Sequence, residues 1–87
     1  MSRPLKRSLT LRGHATSVSM EPEFWAAFRR IAEARGLALN ALAAEIDAAR
    51  RPGTGLATAI RLFVLADLQR RLEAAQPTAG GAAGGIE

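Results

Sequence analysis

Polar and apolar residues alternate one by one at the start of this chain and then change to a spacing of three and four. From Arg7 to Leu11, Leu9 and Leu11 share one side, with Ser8 and Thr10 opposite. From His14 to Met20, Thr16, Val18 and Met20 share one side, with Ala15, Ser17 and Ser19 on the other. Period 2 is the signature of extended chain. The apolar positions are odd-numbered in the first run and even-numbered in the second. One continuous strand therefore cannot hold Leu9, Leu11, Val18 and Met20 on one face. The phase must slip near Arg12-Gly13-His14, with Gly13 the natural site, and a bulge, a bend or a hairpin turn all satisfy it. A strand this short needs a hydrogen-bonding mate. The origin of that mate decides what the protein is.

Helical spacing follows. Glu21-Pro22 stops the second run, and proline suits the first position of a helix. Phe24, Phe28 and Ile31, widened by Trp25 and Ala32, form the stripe of a helix from about Pro22 to Arg35. Gly36 ends it as a left-handed residue. A second helix runs from Leu39 or Asn40 to Arg50 or Arg51, with Leu39, Leu42, Ala43, Ile46 and Ala49 as its stripe, and Pro52-Gly53 stops it. Thr54 reads as the cap of a third helix, from about Gly55 to Glu73 or Ala74. That helix is apolar nearly all round for three turns, so it is expected to be buried on more than one side. Arg61, Asp67, Arg70 and Arg71 mark its wetter positions. The division predicted is a basic N-terminal arm over 1–6, a folded unit over 7–75 and a flexible tail over 76–87.

Composition narrows the function classes. The chain has 87 residues, no cysteine and one histidine. Disulfides are thus excluded, and a metal cluster is not expected. A core this small is marginal without some staple, which leaves oligomerisation. Arg3, Lys6, Arg7 and Arg12 precede residue 13 with no acid among them, and they hold the whole net charge of +4. Such a basic segment attracts a polyanion, most simply nucleic acid. No apolar run approaches the ~18 residues of a membrane span, and no signal-peptide core is present, so a cytoplasmic protein is expected. No enzyme and no cofactor are expected either. There is no nucleophilic cysteine, no second histidine and no phosphate-cradling glycine loop, and Glu45 and Asp47 point apart on their helix.

Thr-Ser-Val-Ser-Met (16–20), Glu-Pro-Glu-Phe-Trp (21–25) and Gly-Leu-Ala-Leu-Asn-Ala-Leu (36–42), in the order strand, helix, turn, helix, resemble the ribbon-helix-helix family of DNA-binding proteins. Glu-Ile-Asp-Ala-Ala-Arg (45–50) followed by Leu-Ala-Thr-Ala-Ile-Arg-Leu-Phe-Val-Leu (56–65) looks like a bacterial subfamily with an added C-terminal helix. The resemblance covers about residues 7 to 72. It implies a mainly α fold with one short strand pairing across a homodimer, then two helices and the third. It implies a transcriptional regulator whose two-stranded ribbon enters the major groove of double-stranded DNA. The dimer core would be Thr16, Val18, Met20, Phe24, Phe28, Ile31, Leu42 and Ile46. The DNA contacts would be Arg7, Arg12, His14, Ala15, Ser17 and Ser19, with the backbone N–H groups of Leu39, Asn40 and Ala41 holding a phosphate. Family members often carry long polar residues where Ala15, Ser17 and Ser19 stand, so Arg12 or His14 is the candidate for the missing reach. A competing reading is a protein-interaction module of the same fold, an antitoxin or adaptor, engaging a partner through residues 56–68.

Overall fold

The opposite parities of the two extended runs are reconciled by a two-residue turn. In the computed structural model, which describes residues 3–75, β1 (Leu5–Leu11) and β2 (His14–Met20) form one antiparallel hairpin. Arg12 and Gly13 connect them with φ of 52° and 83°. Two successive residues at positive φ make the type I′ geometry whose twist matches a hairpin. Cα partners run from Leu11↔His14 out to Leu5↔Met20, so each odd position of β1 meets an even position of β2. Leu9, Leu11, Val18 and Met20 thus reach one face together, and all four are buried.

Strand 14–20 is therefore paired along one edge with β1 of its own chain. The turn makes this the short-range solution, since it closes the ladder across two residues. The strand also begins at Leu5, so Leu5 and Lys6, read from sequence as part of a free arm, belong to β1. Residues 76–87, expected to be a flexible tail, lie outside the described residues.

Three helices cover the inner face of the hairpin: α1 (Pro22–Ala34), α2 (Leu39–Ala49) and α3 (Leu56–Ala75). The class is mainly helical, a ribbon followed by two helices and an added third. α1 starts with proline at its first position and ends where Gly36 takes φ 68°, the left-handed stop that glycine allows. α3 begins two residues beyond Thr54. The core is continuous: Leu9, Met20, Phe28, Ile31, Leu42, Ala43, Ile60 and Val64 are all buried within one chain. Trp25 packs at its margin with its ring centroid 5.8 Å from that of Phe28. Of the residues expected to form a dimer core, Val18, Met20, Phe28, Ile31, Leu42 and Ile46 are buried inside this single chain, and Thr16 and Phe24 are half-buried.

One charge departs from its expected place. Asp67, read as a wet position of the third helix, is 1% exposed. Arg70 and Arg71 reach it from the following turn at 2.6 and 2.8 Å, and Arg35 reaches across from the end of α1 at 3.4 Å. The Arg71 contact is close but not aligned as a hydrogen bond, which leaves Oδ2 without a directed donor. Arg70 and Arg71 stay more than half exposed, whereas Arg35 is more covered and lies 5.0 Å from the ring of Phe63. Helix periodicity places a residue on a face, but it does not show that arginines fold over it.

Candidate nucleic-acid interface

The hairpin register fixes which side chains face away from the helices. The outward pairs are Lys6↔Ser19, Ser8↔Ser17 and Thr10↔Ala15. All six residues are exposed. This face carries hydroxyls, one methyl and one ammonium, with Arg12 exposed at the turn. A two-stranded ribbon matches the major-groove width, and hydroxyls can donate to or accept from base edges there. Lys6, Ser8 and Thr10 join this face only through the hairpin. The signal for them in the sequence was the sum of paired positions, constant once Arg12-Gly13 is taken as the turn.

The residues expected to contact DNA divide into groups. Ala15, Ser17 and Ser19 lie on the outward face, and Arg12 at its tip. Arg7 does not join them: its parity turns it toward the helices, where its guanidinium sits 5.4 Å from the Trp25 ring centroid and its Nε is buried without a hydrogen-bond partner. His14 also has inward parity. It is exposed at the turn end of the hairpin, beside a recess of about 360 Å³ that Arg12, Thr16, Asp47 and Arg50 help to line. Arg50 is held there by Asp47 at 2.7 Å and by the carbonyl of Thr54 at 2.8 Å.

Leu39, Asn40 and Ala41 open α2. Ala38 caps it in extended conformation with no side-chain hydrogen bond to the helix, and the first intrahelical acceptor, the Ala38 carbonyl, serves Leu42 at 3.1 Å. The preceding amides are those that a helix start leaves for an outside acceptor. Asn40 does not cap its own helix. Its Oδ1 accepts the free-edge N–H of Thr10 at 3.1 Å, which fixes the open end of α2 at the free edge of β1.

The other edge is tied as well. Arg61 of α3 donates to the Ser19 carbonyl at 3.0 Å and to Glu21 at 2.9 Å. Arg61 and the Glu21 backbone amide hold the Glu21 carboxyl below its ordinary value of 4.5. A depressed carboxyl stabilises the fold above its unfolded pKa, and that contribution is lost as pH falls through the lower folded value. Arg61→Gln is expected to return the Glu21 pKa toward 4.5, readable by NMR titration of that carboxyl. An unmoved titration would rule out the Arg61 contact as its cause.

The family model of the ribbon-helix-helix domain matches residues 4–68, well over half the chain. No curated protein matches the chain, and no solved structure does.

Proposed function

The chain belongs to the ribbon-helix-helix domain family, and on that premise we propose that it is a cytoplasmic, bacterial, sequence-specific DNA-binding protein that regulates transcription. Proteins of this fold are generally DNA-binding regulators or antitoxins. The observation that carries the reading is the outward face of the hairpin, with Lys6, Ser8, Thr10, Ala15, Ser17 and Ser19 uncovered by any helix among the described residues. Here one chain already supplies two strands of the ribbon. Ser8, Thr10, Ser17 and Ser19 read base edges, Lys6 and Arg12 meet the flanking phosphates, and the amides of Leu39, Asn40 and Ala41 hold a phosphate at the groove wall. Arg7 acts at one remove, by seating β1 on Trp25.

The test is titration of a random duplex at two salt concentrations. Binding at low salt that weakens as salt rises supports the reading, and no binding at low salt ends it. Arg12→Asn sharpens the test. Asparagine before glycine is favoured in a type I′ turn, so the hairpin is kept while a charge is removed. The slope of log affinity against log salt is expected to shrink by about 0.9, one phosphate's share. The melting temperature should hold or rise. An unchanged slope would take Arg12 off the DNA.

A second reading rests on α3, where Leu62, Leu65, Leu68 and Leu72 are each about half exposed. Such a surface suits an antitoxin or adaptor that holds another protein. The two roles are compatible, since the leucines and the ribbon's outward face belong to different elements.

A further inference from the structure

The recess of about 360 Å³ at the turn end of the hairpin lies where three elements meet. Arg12 and His14 line it from the turn, Asp47 from the last turn of α2 and Arg50 from just beyond, while Leu11 and Leu56 supply apolar wall. Its volume falls within the ~300–1,000 Å³ of small-molecule sites. Arg50 is fixed in place: its Nε donates to Asp47 Oδ1 at 2.7 Å and its Nη1 to the Thr54 carbonyl at 2.8 Å. Those two bonds leave Nη2 with no partner among the described residues. The side chains of Arg12 and His14 make no hydrogen bond or ion pair among the described residues. A guanidinium already oriented by two acceptors loses little freedom when a third arrives. The fold thus holds donors at the recess that none of its own acceptors uses.

We propose that this recess binds a small monocarboxylate with a hydrocarbon body, and that the bound acid takes Arg12 from DNA. Charge selects the monoanion. Two arginines against one aspartate leave the lining one positive charge in excess, with His14 neutral. A phosphate dianion would exceed that charge and face the Asp47 carboxylate. The ligand's carboxylate accepts from Arg50 Nη2 and from Arg12, whose planar forks suit it. Leu11 and Leu56 cover the hydrocarbon, which a bare inorganic anion lacks. All six residues belong to one chain, so one site per chain is expected in any assembly.

Binding and its consequence are tested separately, since only the second rests on the DNA reading. The probe is benzoate, with benzamide and inorganic phosphate as controls, followed by NMR on the full chain. Benzoate is expected to shift the Arg50 Nε resonance saturably below about 10 mM, an affinity within reach of so small a molecule. Benzamide and phosphate are not. Arg50→Gln is expected to weaken benzoate binding about tenfold or more, the share of one charge-assisted hydrogen bond. Asp47→Asn is expected to strengthen it severalfold and to admit phosphate, because asparagine keeps the oxygen that orients Arg50 and gives up the charge. The opposite signs separate a ligand site from damage to the fold. The site is overturned by the absence of a saturable shift, by equal responses to benzoate and benzamide, or by variants that do not move affinity in those directions. On duplex at constant ionic strength, saturating benzoate is expected to lower wild-type affinity severalfold and to leave that of Arg12→Asn unchanged. An equal effect on both proteins, or none on either, overturns the coupling through Arg12. A wild type that binds benzoate but no duplex, even in its absence, ends the DNA reading and the coupling with it, and bears out the site.

Discussion

Leu9→Asp is expected to unfold the chain, whereas Ser8→Asp, one residue away on β1, is expected to leave the fold intact and weaken DNA binding on every duplex. Leu9 is 3% exposed and faces the helices. A carboxylate there loses its water and finds Thr16 opposite in register, not a cation. The burial of an unpaired charge, added to the lost leucine packing, costs on the order of 4 kcal/mol or more. A domain this small starts near the low end of the usual 5–15 kcal/mol, so the variant should lack a cooperative thermal transition by circular dichroism. Ser8 points outward, where substitution costs a few tenths to about 1 kcal/mol. There its carboxylate would stand between phosphate backbones, and affinity should fall at least about tenfold on every duplex. A folded, cooperative Leu9→Asp would show that β1 does not complete the core. A Ser8→Asp that binds normally would show that the outward face does not meet DNA.

The same register makes a milder case. Val18 is also buried, but Arg7 stands opposite it with its Nε unpartnered. Val18→Asp can therefore recover part of its cost through a cross-strand ion pair, and it should be less damaging than Leu9→Asp. Arg7 is held inside by the Trp25 ring and not by an acid. This explains why charge counting along the N-terminal segment placed it with the DNA-facing residues. Four cations before residue 13 suggest one basic patch, whereas strand parity sends Lys6 outward and Arg7 inward.

Much of the fold was legible because local chemistry and long-range packing agree. Pro22, Gly36 and Pro52-Gly53 punctuate the helices where the apolar stripes begin and end, and α1 and α2 occupy almost the spans those signals mark. The mate of β2 was not legible. Alternation over 14–20 serves an intermolecular ribbon and a hairpin equally well. Arg12-Gly13 also lacks the asparagine or aspartate that would advertise a type I′ turn. Half of the outward face was hidden with it: Ser8 and Thr10 could be seen as one side of an extended run, but not as neighbours of Ser17 and Ala15. For α3, apolar residues on all sides indicated burial on more than one side. The structure shows which side the chain covers itself, and that Asp67 lies on it under three arginines. Asn40 stands at the start of α2 but does not cap it. It instead joins two elements thirty positions apart in sequence, a contact that no local pattern encodes.

Leu39→Pro is expected to weaken DNA binding by about tenfold to a hundredfold while the helix stays formed. Residue 39 is the first of α2, and proline is accepted at that position because the helix makes no use of its amide. The preceding residue is compatible as well: Ala38 has φ −64° and ψ 146°, the extended region that a residue before proline favours. The substitution therefore removes one N–H from the open end of α2 and leaves the helical path unchanged. A hydrogen bond from an amide to a charged phosphate contributes about 1.5–3 kcal/mol, which sets the expected loss. Leu39 is also half-buried against the core, so packing must be separated from the amide. Leu39→Ala does this, since it gives up the same side chain and keeps the N–H. If both variants bind duplex as the wild type does, the start of α2 holds no phosphate, and the ribbon alone carries the contact. If both lose affinity equally, the side chain matters through packing and not through the amide. Loss in the proline variant alone assigns the phosphate to the end of α2 that Asn40 fixes beside the ribbon.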